Sequence, residues 1–175
     1  MAYCNETLAG YAGTCASNQP GVEKVYVTNY SGSSVFTVGS DDVVSAITTA
    51  STWAVYELNP GVGHIDQTTT KSLENGTLFE TISTVIRLNR MDAVSRKEFN
   101  ALIKGQFAAI VKDNNGIYWA MGVTHAVHAS VGVGQSGASE SDGNYFEVTL
   151  SVSEPDAAYT IDPTVISGLT LVGGE

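Results

Sequence analysis

Residue by residue, the chain is expected to fold as a mainly β protein: an antiparallel β-sandwich or barrel with one flanking α-helix at about residues 92–104. Short runs of Val, Ile, Thr, Tyr and Phe recur between Gly, Ser, Asn and Asp breaks, the pattern of strands and turns. One run, residues 145–152, alternates cleanly, with Phe146, Val148, Leu150 and Val152 on one face and Glu147, Thr149 and Ser151 on the other. Helical apolar spacing occurs convincingly once, at Phe99, Leu102 and Ile103. A chain of 175 residues suits one domain able to bury about two-thirds of its unfolded surface.

Residues 1–21 read as an N-terminal arm, rich in Ala, Gly, Asn and Ser and closed by the turn signal Pro20-Gly21. Strands are then predicted at 22–29, at 35–38 after Ser31-Gly32-Ser33-Ser34, at 43–48 after Asp41-Asp42, and at 52–58. The stretch 59–76 differs. Asn59-Pro60-Gly61 and Asn75-Gly76 bound a polar, threonine-rich segment, read as a projecting hairpin or long loop.

Strand returns at 77–88, where Leu78, Ile82, Ile86 and Leu88 share one parity that Glu80 and Thr84 interrupt. The helix follows. Asp92 is its expected N-cap, Lys104 complements the dipole of its last turn, and Gly105 supplies the stop. Residues 107–112 and 117–121 flank Asp113-Asn114-Asn115-Gly116, the strongest hairpin signal in the chain. A strand at 125–133, a loop at 134–144 and the alternating run complete a domain spanning 22–154. Pro155 and Pro163 break the remainder, 155–175, which reads as a C-terminal arm.

Charge narrows the function classes. With 18 Asp+Glu against 8 Lys+Arg, the net charge of −10 disfavours nucleic-acid binding, which needs cations to displace phosphate counterions. The start carries neither the basic stretch nor the apolar run of a secretory signal, and no segment has the roughly 20 apolar residues of a spanning helix. A soluble product of the cytoplasm is expected. Cys4 and Cys15 are spaced to close a small disulfide loop, although a reducing compartment favours two free thiols.

Chemical motifs are sparse. Gly132-Val133-Gly134-Gln135-Ser136-Gly137 matches G-x-G-x-x-G, but no helical period follows to present its N-terminus to a pyrophosphate. Ser136 lies in a near match to a nucleophile elbow in which Ala138 replaces the last glycine. His125 and His128, three apart, would point to opposite faces of a strand, and His64 beside Asp66 reads as a solvated histidine. Asp41 and Asp42 read as turn caps rather than paired catalytic acids. No enzymatic activity, metal or cofactor is therefore expected. Trp53, Tyr56, Tyr118 and Trp119 suggest either core or a sugar-binding platform, so a carbohydrate-binding or adhesin domain is the alternative of a different class.

Three stretches add a resemblance. The opening Met-Ala-Tyr-Cys4-Asn5-Glu-Thr-Leu8-Ala-Gly10 through Cys15 to Gly21-Val-Glu-Lys-Val-Tyr-Val-Thr28 resembles the start of structural proteins from tailed phages of Bacteroidetes hosts. Asp113-Asn-Asn-Gly-Ile-Tyr-Trp-Ala-Met-Gly122 and Asp142-Gly-Asn-Tyr-Phe-Glu-Val-Thr-Leu, with Glu154-Pro155-Asp-Ala-Ala-Tyr159 after it, look like the same group. The element order is similar to that of tail tube proteins. The resemblance implies a tail-tube-like virion subunit, made in the host bacterial cytoplasm, that forms hexameric rings by joining edge strands into an inner barrel. It also implies stacked rings, contacts with other virion tail proteins, and DNA passing through the lumen without specific binding; no membrane is involved. Residues 59–76, with His64, Asp66, Thr69 and Lys71, and the two arms would reach the neighbouring ring. A head–tail connector or baseplate ring subunit is the related alternative. An acidic lumen would let DNA slide by repulsion.

Overall fold

The computed structural model describes residues 8–13, 16–32, 35–48 and 52–173; Cys4 and Cys15 lie outside them. Among the described residues, twelve strands form two sheets. They are β1 (Val22–Asn29), β2 (Phe36–Val38), β3 (Val43–Ile47), β4 (Trp53–Glu57), β5 (Ile65–Ser72) and β6 (Thr77–Asn89), then β7 (Phe107–Asp113), β8 (Tyr118–Met121), β9 (His128–Gln135), β10 (Tyr145–Glu154), β11 (Thr160–Ile161) and β12 (Leu171–Val172). Helix α1 (Ala93–Lys104) precedes β7, and a single turn, α2 (Pro163–Ile166), follows β11. The larger sheet has eight strands in the order β12-β4-β1-β7-β8-β11-β3-β2; the smaller has four, β5-β6-β10-β9.

The two sheets sandwich the main core. Val25, Val27, Ala109, Val111 and Met121 of the larger sheet meet Ile82, Ile86, Val148, Leu150 and Val152 of the smaller, with Leu102 of α1 beside them. The opposite face of the larger sheet is also buried. Tyr26, Ala108, Ile110 and Ala120 pack there with Phe36, Val44, Trp53, Ile161 and Ile166. Strand β7 is therefore covered on both sides, the physical reason its sequence is a continuous apolar run rather than an alternation. The larger sheet rolls around this second core, bringing Phe36 of β2 to within 6.2 Å (ring centroids) of Trp53 in β4.

The C-terminal segment is not an arm. Strand β11 inserts between β8 and β3, Ile161 and Ile166 are buried, and β12 pairs with β4. Its pairings with β3 and β4 are the two parallel ones in an otherwise antiparallel fold. Burial of those apolar side chains outweighs the interruptions at Pro155 and Pro163; Asp162 and Pro163 start α2, with Asp162 accepting the N–H of Thr164 at 2.9 Å.

Helix α1 matches its expected bounds. Asp92 accepts the N–H of Ser95 at 2.8 Å, while the Ser95 hydroxyl accepts the N–H of Asp92, a reciprocal capping box. Gly105 ends it in an extended conformation, not a left-handed one, and a Cβ there would run into the ring of Phe107. The helix packs on β9, β10 and β6, with Phe99 stacked on Phe146 at 4.6 Å. Of its predicted stripe, Leu102 is buried, Phe99 half-buried and Ile103 mainly exposed.

Candidate assembly surface

The four-stranded sheet has an unusual amount of unsatisfied surface. Among the described residues its outermost strands, β5 and β9, are each paired with one neighbour, so one edge of each presents open backbone N–H and C=O groups. Both are eight residues long, and both are almost wholly exposed. All three pairings in the sheet are antiparallel, so β5 and β9 run in opposite directions.

Segment 59–76 contains strand β5 between two turns. Residues 59–64 form a turn, β5 follows, and β5 pairs with β6 from Ile65↔Thr84 to Ser72↔Thr77 before the tip at Leu73–Gly76. Buried Thr84 anchors the base, its hydroxyl donating to the His64 carbonyl at 2.9 Å. His64 Nε2 lies 3.2 Å from Asp66 Oδ2, and the Thr69 hydroxyl donates to Glu80 Oε1 at 2.6 Å. Lys71, exposed near the tip, pairs in register with Leu78. The named residues thus share one hairpin arm, but they alternate: Asp66 lies on the face away from the core, Thr69 and Lys71 on the core-side parity.

The outer face of this sheet is dominated by hydroxyls. Thr68 and Thr70 of β5, Thr81 and Ser83 of β6, and Thr149, Ser151 and Ser153 of β10 have the parity opposite to the buried Ile82, Ile86, Val148 and Leu150. Its charged groups are Asp66 and an ion pair, Arg87 Nη2 to Glu147 Oε2 at 2.6 Å, with the Arg87 guanidinium also 4.0 Å from the Tyr145 ring. On β9, Val131 and Val133 share this face and are exposed.

The rejected motifs have structural explanations. Gly132 and Gly134 lie in strand β9, where a Cβ would meet Ile103 of α1 at 2.8 Å and the Phe146 ring at 2.8 Å. These glycines let the helix approach the sheet. The loop beyond them is closed by Asp142, which accepts the N–H groups of Ala138 and Ser139 at 2.8 Å each; those bonds hold its carboxyl below the usual value. His125 precedes β9 rather than lying in it, with Nδ1 3.8 Å from Glu154 Oε2. Asp42 occupies the β2–β3 turn with φ 58°.

The four aromatics are not gathered into one platform. Trp53 is buried in the second core. Tyr118 packs towards that core and Trp119 towards the first, on opposite faces of β8, and Trp119 Nε1 donates to Asp113 Oδ2 at 3.3 Å. Tyr56 donates to Glu98 Oε2 at 3.0 Å, and burial followed by that carboxylate pushes its phenol well above the usual range. Among the described residues no group of three or more His, Cys, Asp or Glu side chains could hold a metal ion, and no helix is long and apolar enough to cross a membrane. In comparison with known proteins, the chain matches no family model, no curated protein and no solved structure.

The open edges were the feature that residue patterns missed. A polar, almost wholly exposed strand such as β5 has no alternation to detect, and its signal is the β-branched run Thr68-Thr69-Thr70.

Proposed function

We propose that this protein is a structural subunit that assembles with copies of itself into rings, as a phage tail tube protein does. The observation that carries the reading is the pair of open, oppositely directed, equally long edges on the four-stranded sheet. A rotation that generates a ring preserves strand direction along its axis. Strand β9 of one copy would therefore meet β5 of the next antiparallel, and every junction would repeat the pairing already present inside the sheet. Joining also removes the edges that would otherwise invite aggregation.

On this reading the hydroxyl-rich face lines the channel. DNA would slide past Ser and Thr side chains with one net acid per copy, Asp66 beside His64, since the Arg87–Glu147 pair is internally neutral. Most of the net charge of −10 would then lie away from the lumen, a narrower role for charge than an acidic channel.

Sedimentation and negative-stain microscopy of concentrated protein test the reading. Rings are expected, with stacked tubes for a tail tube and single rings for a connector or baseplate component. Monomers at every concentration and salt level would overturn it.

A further inference from the structure

We propose that the tip of the β5–β6 hairpin of one copy seats Leu73 in an apolar notch of its ring neighbour, a contact within the ring rather than between rings. This rests on the edge-joining reading above and adds to it a register and an anchor.

The notch lies where β9 and β10 end and β6 runs on past them. It has a volume of about 490 Å³ and is lined by Leu78, Phe79, Ala126 and Pro155, with His125 and His128 beside them. None of the described residues fills it. Leu73 is 87% exposed, more than any other apolar residue of the hairpin, at a turn position where polar residues are usual.

Register connects the two. A sheet that continues across a junction must keep its pleat in phase, because a slip of one residue exchanges its faces. The outer-face positions of β9 are Val131, Val133 and Gln135, and those of β5 are Asp66, Thr68, Thr70 and Ser72. The in-phase antiparallel register with the longest overlap places Gln135 opposite Asp66, Val133 opposite Thr68, and Val131 opposite Thr70. Beyond Val131, β9 is bulged: its pairing to β10 passes from Val131↔Thr149 directly to Ala129↔Leu150. Skipping Ser130 sets Ala129 opposite Lys71 and His128 opposite Ser72, so inner and outer faces still match. The bulge thus keeps the junction in phase to the end of both strands.

The next residue of the incoming chain is Leu73. It arrives opposite Val127, next to Ala126 at the notch. Glu74 follows between His125 and His128, whose imidazole N–H groups can donate to its carboxylate. The neighbouring Glu154 carboxylate is already engaged by the N–H groups of Thr124 and His125.

The test uses the full chain with Cys4→Ser and Cys15→Ser. Leu73→Cys protein is mixed with Ala126→Cys protein and treated with a short bismaleimide. A crosslinked heterodimer is expected, at least tenfold above either protein alone. A parallel mixture of Thr68→Cys and Val133→Cys reports edge joining itself. If the second pair links and the first does not, the seating of Leu73 is wrong while the ring stands. If Val133→Cys links to Thr70→Cys in preference to Thr68→Cys, the register is wrong and the proposal falls. If no pair links and the protein stays monomeric, edge joining fails too. Independently, Leu73→Asp should raise the concentration of half-assembly about tenfold, from loss of a buried leucine, with an unchanged circular dichroism spectrum. No change in that concentration would overturn the proposal.

Discussion

The carboxylate of Glu154 accepts the backbone N–H of Thr124 at 3.1 Å, from a side chain only 5% exposed at the end of β10. It also accepts the N–H of His125 at 3.2 Å, so one buried acid ties the 122–125 turn to the smaller sheet. Tyr30 adds a second tie, donating to the Thr124 carbonyl at 2.8 Å.

Removing that acid should be costly. Glu154→Ala would leave two backbone donors unpaired in a poorly hydrated site, at about 1–3 kcal/mol. Glu154→Gln retains one acceptor oxygen and should cost less. Urea unfolding of both variants checks the order; equal loss from the two would show that packing, not the N–H bonds, gives Glu154 its importance.

Gly122 marks the other side of the same turn. Its φ is +90°, and a Cβ would lie 3.2 Å from Ala108 Cα, 3.2 Å from the Phe107 carbonyl oxygen and 3.0 Å from a Val127 methyl. Backbone strain and crowding against atoms that cannot swing away act together. Gly122→Ala should therefore destabilise by at least about 2 kcal/mol. Gly116, also at positive φ (+81°) but with nothing within 4 Å, isolates the strain component. Gly116→Ala should be the milder change in the same unfolding assay.

The acid limb of stability should report the helix cap. Hydrogen bonds from the Ser95 backbone and then its side chain hold the Asp92 carboxyl below its ordinary value of 3.8. Its folded value is depressed, so its contribution is complete above the unfolded value and is lost as pH falls through the folded one. Asp142 and Asp162 are lowered in the same way by the N–H groups of their own turns. Asp92→Asn keeps an acceptor but cannot titrate. Its thermal midpoint should fall less steeply than the wild type's below about pH 4, and parallel curves would remove the cap from the acid response.

How far the sequence announces this architecture depends on whether an element has a one-sided environment. Strand β10 faces core on one side only, and its alternation from Phe146 to Val152 locates its start and face, although the strand runs two residues further, to Glu154. Asp92, Leu102 and Lys104 place α1 within a residue. The C-terminal strands are two residues each, too short for any period, and Pro163, read as a break, instead opens α2 behind the Asp162 cap, with Ile161 and Ile166 buried beside it. The candidate surface depends on backbone edges and on register, and neither is written in side-chain type.

Edge charge provides the last prediction. Val131 and Val133 are 54% and 41% exposed on the open strand β9, where a lysine would find water without disturbing either core. Natural sheets use such lysines to block edge pairing, because a joined neighbour would strip the ammonium of its hydration. Val131→Lys/Val133→Lys should thus leave the unfolding midpoint nearly unchanged, since surface substitutions usually shift stability by less than about 0.5 kcal/mol. Ring formation, followed by sedimentation velocity, should be abolished at the concentrations where the wild type assembles. A variant that still forms rings would mean that β9 is not at the junction, and a variant that unfolds would mean that the two valines support the monomer itself.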